Sequence, residues 1–305
     1  MKPPAIRFYP FDYLIMGYCA ITTALVLVCG RPISNYYDEL AFYIGIGLLA
    51  YVISRSLSEQ ASRAQALFRL LYPVMLSVAF YLKTQGLIFL IFDRFFDADI
   101  VRFEQSIFGA DPTVYFDSRG LNVWVTEILS FCYFSYYAMI PSFFLFVFLR
   151  RDYRVVKEAL AAVCITFFSS YLLFSLYPIE GPRWHFAHVY KNAVEGPFFR
   201  QMVNIAIEKG AVHGGCMPSS HTGIALVLMI FCFRYYRPWG WVMLPVVIGL
   251  AAGTIWGRFH YVSDVVVGAA IGLAAVWIVR KYHDRWINQG GHIVQQREIE
   301  SAHVS

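Results

Sequence analysis

Charge is what this sequence has least of. Asp, Glu, Lys and Arg make up 15% of its 305 residues, and 58% are hydrophobic. A soluble domain carries about 25% charged and about 45–50% apolar residues. The shortage of charge excludes an ordinary solvated surface and points to lipid. Cysteine is also sparse, with six in all. Five of them (Cys19, Cys29, Cys132, Cys164 and Cys232) fall in apolar runs, where they read as small core residues. Cys216 lies near a loop without a partner. This pattern excludes a disulfide framework and a zinc-binding spacing. No acidic cluster suits Mg²⁺ or Zn²⁺, so neither a metal nor a cofactor is implied. Internal repeats and low-complexity stretches are absent, and nucleic acid is not an expected partner.

What the chain does have is long apolar runs. They fall near 13–30, 40–58, 67–92, 121–149, 157–177, 220–236, 239–256 and 261–280. Crossing a bilayer takes about 20 residues. The fold expected is therefore all-α, a polytopic transmembrane bundle of about eight helices, with the residues that could carry chemistry in the C-terminal half. The run at 67–92 is long enough to tilt or break. The first span follows Lys2 and Arg7 and reads as a retained signal anchor. Three regions are expected: 1–120 with the first helices and an outer loop, 121–283 as the catalytic core, and a polar, disordered tail at 284–305. In the outer loop 93–120, Ile100, Phe103, Ile107 and Phe108 recur at helical spacing among acidic residues. They suit a helix lying on the membrane surface.

Basic residues sort by side. Fifteen of the twenty-five Lys and Arg residues fall with the two termini and the loops on their side; nine fall on the other, and Lys83 lies inside a span. Positive loops stay cytoplasmic. Both termini are therefore expected in the cytoplasm, in a bacterial inner membrane rather than a eukaryotic endomembrane. A Lys inside a span costs about 2.5–3.5 kcal/mol to insert. Glu127, at similar depth on the next span, is its expected partner.

Three stretches share the non-cytoplasmic side: "YPIEGPRWH" (177–185), "CMPSSHTG" (216–223) and "WGRFHYVSDVVVG" (256–268). In the second, Pro218 suits a first helical turn and Ser219 or Ser220 can cap it. A helix start attracts phosphate, and His221 sits there with a proton to give near neutral pH. In the third, His260 and Asp264 are four residues apart and share a helix face. The carboxylate can hold one ring N–H, freeing the other nitrogen as base, nucleophile or ligand. In the first, Arg183 offers a planar fork of donors to phosphate oxygens.

This order, Arg then Ser-His then His-Asp, resembles the type 2 phosphatidic acid phosphatase superfamily. That superfamily includes lipid phosphate phosphatases, sphingomyelin and inositol-phosphorylceramide synthases, and the vanadium haloperoxidases. The resemblance covers roughly 121–280, and "HYVSD" is similar to the sphingolipid-synthase branch. It implies that His260 is the nucleophile and forms a phosphohistidine, that Asp264 orients it, and that His221 is the general acid and base. Ser219, Ser220, Arg183 and Arg258 would hold phosphoryl oxygens. The family's first-motif Lys is replaced by Leu176, and its third-motif Arg by Thr254. Arg258, or Lys83 as an accessory group, could stand in. The expected substrate is a lipid phosphate or phospholipid in the bilayer, cleaved or transferred on the periplasmic or lumenal face. A non-catalytic anionic-lipid-binding or transport protein is the alternative. Substrate identity, phosphatase against phosphotransferase, and oligomeric state stay open at this stage.

Overall fold

In a computed structural model, the described residues are 8–29, 35–58 and 62–302, with side chains through residue 282. Lys2, Arg7 and the polar tail at 284–305 lie outside the residues described with side chains. The described residues form twelve α-helices and no strand. Eight follow the apolar runs: α1 (Pro10–Cys29), α2 (Tyr36–Ser56), α3 (Arg63–Thr84), α6 (Val123–Leu149), α7 (Tyr153–Leu176), α10 (Ser220–Tyr235), α11 (Arg237–Trp256) and α12 (Val262–Ala302). Four shorter ones lie between spans: α4 (Asp97–Phe108), α5 (Pro112–Ser118), α8 (Pro182–His185) and α9 (Phe199–Gly210).

Seven of the eight are long and apolar enough to cross a membrane. The exception is α10. Its 16 residues rise only about 24 Å, short of the roughly 30 Å of hydrocarbon. One residue joins its C-terminal end to α11, so its shortness recesses its N-terminus into the bundle. The long run at 67–92 breaks after Thr84 into a single 3₁₀ turn, Gln85–Leu87.

At the centre stands α7, with 72% of its span buried against 28% for α2 and for α11. Small residues permit this: Ala159, Ala161, Ala162 and Ser170 are all fully buried. Prolines inside α3, α6 and α11 are tolerated because other groups take up the freed backbone.

The bundle has two distinguishable ends. Lys157 near the start of α7 lies 4.3 Å over the Tyr9 ring, beside the start of α1. Arg69 from the start of α3 joins them by pairing with Asp12. The end of α7 and the starts of α10 and α12 lie at the opposite end.

At that opposite end α4 braces the loops. The expected helix is present, and Phe103, Ile107 and Phe108 are exposed. Ile100, however, is buried, and the inward face also carries Asp97, Val101 and Glu104. Asp97 accepts the Glu180 and Gly181 amides, each at 2.8 Å, and the Tyr261 hydroxyl at 2.9 Å. Glu104 accepts the Ser263 amide at 2.6 Å. Two acidic side chains thus tie down the loops that carry Arg183 and His260.

The pairing of Lys83 with Glu127 is not observed. Lys83 Nζ bonds Glu39 Oε1 at 3.1 Å instead. Glu127 caps α9, accepting the amides of Phe198, Phe199 and Arg200 at 3.2, 2.8 and 3.0 Å. The reason is spatial: a chamber separates α3 from α6, so equal depth does not bring the two charges together.

Candidate active site

Ser219 begins α10 with extended backbone, and its Oγ accepts the Thr222 amide at 3.4 Å. Pro218 was expected inside the first turn but precedes the cap, following a cis peptide bond. The Ser219 amide donates to the Asp264 carbonyl at 2.9 Å, which joins the starts of α10 and α12. A helix start leaves its first amides outside the helical ladder. Those of Ser219 and Thr222 are taken, leaving those of Ser220 and His221 at the cavity wall.

That cavity has a volume of about 70 Å³ and is lined by Arg183, Ser220, His221 and His260, with Tyr133 and Cys216. The rings of His221 and His260 have centroids 6.1 Å apart. His260 Nδ1 faces Asp264 Oδ2 at 3.4 Å, which turns Nε2 away from the carboxylate. Asp264 is fully buried; its Oδ2 also accepts the Tyr261 amide and the Cys216 thiol, each at 2.9 Å. Burial, reinforced by the Asp264 charge, pushes the Cys216 thiol far up, so it stays protonated and donates. The ligand-type atoms of Cys216, His260 and Asp264 lie within 4.8 Å of one another; the hydrogen bonds just described account for that clustering. On the other side, Tyr133 Oη lies 3.4 Å from His221 Nε2 and its ring stacks on the imidazole at 5.2 Å.

The three sequence stretches thus converge. The loops of the first two are zipped together: Ile179 N donates to Gly214 O at 3.3 Å, and Cys216 N to Ile179 O at 3.2 Å. Gly181 is required there. Its φ is +99°, and a Cβ would lie 2.9 Å from Cys216 Sγ.

Three candidate residues lie elsewhere. Ser219, fully buried, spends its hydroxyl on the cap. Arg258, with φ of +65°, turns away from the cavity. Its Nη2 donates at 2.7 Å to both Asp117 Oδ1 and Asn192 O, and its guanidinium lies 3.8 Å over the Tyr190 ring. Burial alone would raise the Asp117 carboxyl. The amides of Lys191 and Asn192, with the Arg258 charge, hold it below the usual range instead. Lys83 pairs with Glu39 at 3.1 Å.

The sequence pattern of the PAP2 superfamily matches residues 98–278. The chain belongs to that superfamily. The match takes in α4 and α5 as well as α10, which carries His221, and the loop before α12, which carries His260. A PA-phosphatase related-family protein of Dictyostelium discoideum is 24% identical over 184 residues, which cover 53% of this chain and 33% of that protein. The matched part therefore spans about a third of that relative's length. No solved structure matches. The chain is thus a PAP2-superfamily protein with seven helices, among the described residues, long and apolar enough to cross a membrane.

A second space opens from the same histidine. A chamber of about 460 Å³ is walled by Val74, Val78 and Leu82 of α3 and by Tyr133, Tyr136 and Ile140 of α6, and it reaches Ser220 and His221. Its flank carries exposed apolar side chains, Met75 at 67% and Leu82 at 55%. It therefore opens sideways, toward the lipid-facing surface. Sequence reasoning missed this chamber, together with Cys216, Tyr133 and the bracing acids. The only trace of the bracing face was the i, i+3, i+4, i+7 spacing of Asp97, Ile100, Val101 and Glu104.

Proposed function

We propose that this PAP2 protein is a metal-independent lipid phosphatase or lipid phosphotransferase working through a phosphohistidine. The observation that carries the reading is the pair of histidines facing one small polar cavity, with an apolar, sideways-opening chamber against one of them. His260 Nε2 attacks phosphorus, and the bond to the leaving oxygen breaks as that oxygen takes a proton from His221. Asp264 and the Cys216 thiol keep the Nδ1 side of His260 in place while its ring gains positive charge. Arg183, the Ser220 hydroxyl and the amides of Ser220 and His221 hold the equatorial oxygens. His221 then takes a proton from the acceptor, water or a lipid hydroxyl, as that oxygen attacks phosphorus and releases His260. The chamber adjoins His221, the group that serves the leaving oxygen. It suits a leaving alcohol that carries hydrocarbon. The test is purified protein with a panel of lipid phosphates, products identified by mass spectrometry; no product from any would sink the proposal.

Activity is expected to persist in EDTA, because protein groups hold the phosphoryl charge. Loss in EDTA with recovery on adding Mg²⁺ would refute metal independence.

The proposal puts the site on the periplasmic or lumenal face. It lies at the end of the bundle opposite the start of α1, and the fifteen-to-nine sorting of basic residues assigns the α1 end to the cytoplasm. His188 is exposed in the loop after α8, and His188→Cys is expected to react with a membrane-impermeant maleimide from outside intact cells. Labelling only after cytoplasmic access would reverse the orientation.

A further inference from the structure

The described residues hold a buried cation that the site as drawn leaves unused. Arg200 is the second residue of α9, and the inward face of that helix carries Arg200, Val203 and Ile207. Ile207 lines the cavity. Arg200 is only 8% exposed, and its Nε and Nη1 have no hydrogen-bond partner. Among the described residues no carboxylate pairs with its guanidinium. Glu127, which accepts the Arg200 amide, has both oxygens committed to the three amides at the start of α9.

The guanidinium is nonetheless held in one place. It lies 5.1 Å over the ring of Phe259, the residue before His260. Phe259 itself lines the cavity and packs 4.9 Å from Tyr133. Burial, with the nearby charges of Arg258 and Arg183, pulls Arg200 down to about 10. Arg258 is neutralised by Asp117 at 2.7 Å; Arg200 has no such counterpart. The positions of the two absent family cations offer no replacement. Leu176 is apolar, and Thr254 is fully buried, with its carbonyl accepting the Phe259 and His260 amides. A buried charge without a partner is costly, so its retention beside the cavity calls for an anion.

We propose that Arg200 is a phosphate-binding residue, unpaired in the empty protein and neutralised by the phosphoryl group of a phosphate ester bound beside His260. This rests on the phosphoryl-transfer reading of the same cavity. It assigns the second cation of the site to the loop between the first two motifs, on a helix whose start is capped by Glu127.

Two properties follow that a structural arginine would not show. Arg200→Met removes an uncompensated charge, so the thermal midpoint in phosphate-free buffer is expected to hold or rise. The same change is expected to weaken orthophosphate binding by roughly tenfold to a hundredfold, the scale of a lost charge-assisted contact. Arg200→Lys, which keeps the charge but not the fork, is expected to fall between. The experiment is isothermal titration of the purified full chain with orthophosphate, with thermal unfolding in its presence and absence. Unchanged orthophosphate affinity in Arg200→Met overturns the proposal. So does a variant that fails to fold or melts lower without phosphate, because the cation would then be structural. Turnover of lipid phosphates with affinity indifferent to Arg200 would leave the enzymatic reading standing and this one refuted. Weakened orthophosphate binding in a protein that turns over no ester would leave the anion site standing alone.

Discussion

Replacing His260 with Ala is expected to leave a folded bundle and to lower turnover by at least about a thousandfold. The imidazole is 6% exposed, at the wall of a cavity rather than inside a packed core, so its loss removes little packing. His221 is the other imidazole at the cavity, but its Nε2 contacts Tyr133 Oη at 3.4 Å and its Nδ1 is buried without a partner. It has no carboxylate to orient it as Asp264 orients His260. Asp264→Asn is expected to cost on the order of 10³–10⁴ in rate. The Tyr261 amide, the Cys216 thiol and His260 Nδ1 all face the one oxygen Oδ2. An amide there carries no charge to stabilise the positive ring, and its NH2 turned toward Nδ1 favours the wrong tautomer. An alkaline quench during turnover should trap phosphate on the wild-type protein and none on His260→Ala. A His260→Ala protein that kept more than a few per cent of the wild-type rate would disprove the nucleophile assignment.

The second large effect is expected from Gly268→Leu combined with Gly272→Leu. These glycines sit at the close contact of α12 with α10 that their four-residue spacing predicts. A Cβ on Gly268 would lie 2.2 Å from the Ser219 carbonyl oxygen, and one on Gly272 would lie 2.6 Å from that of Gly223. Both obstacles are backbone, so no side chain can move aside. The helices must separate, and the bond from the Ser219 amide to the Asp264 carbonyl goes with them. Overpacking of this kind costs about 1–3 kcal/mol per site and occasionally more. Loss of a monodisperse, folded species in detergent is expected, and Gly268→Ala alone should already lower the melting temperature. A double-Leu protein with wild-type melting behaviour and activity would show that α10 and α12 do not meet there.

Much of the site was legible because its signals are local. His260 and Asp264 are only four residues apart, but not on one helix face as expected: His260 precedes α12 by two residues, and Asp264 in the first turn lies 3.4 Å from its Nδ1. A Ser before an apolar run caps a helix from its own backbone. The residues around that pair were not legible. Cys216 reads as a stray loop thiol until the Ile179–Gly215 bridge carries it between His260 and Asp264. Arg258 sits two residues from His260 and invites a phosphate role, yet with its left-handed backbone it points toward Asp117. Arg200 stands sixty residues from His260, with nothing in its neighbourhood of sequence to mark it.

By itself the sequence determined that the chain is a membrane-spanning helical bundle, roughly where each span lies, and which superfamily it resembles. Those follow from run length against bilayer thickness and from groups a few residues apart. The tertiary structure decided which helices are neighbours, and with that the partners of Arg69, Lys83 and Arg258. Lys83 finds Glu39 and not Glu127 because α3 and α6 stand apart around a chamber. Depth in the membrane can be counted along a helix, but adjacency depends on which helices carry residues small enough to let their backbones meet.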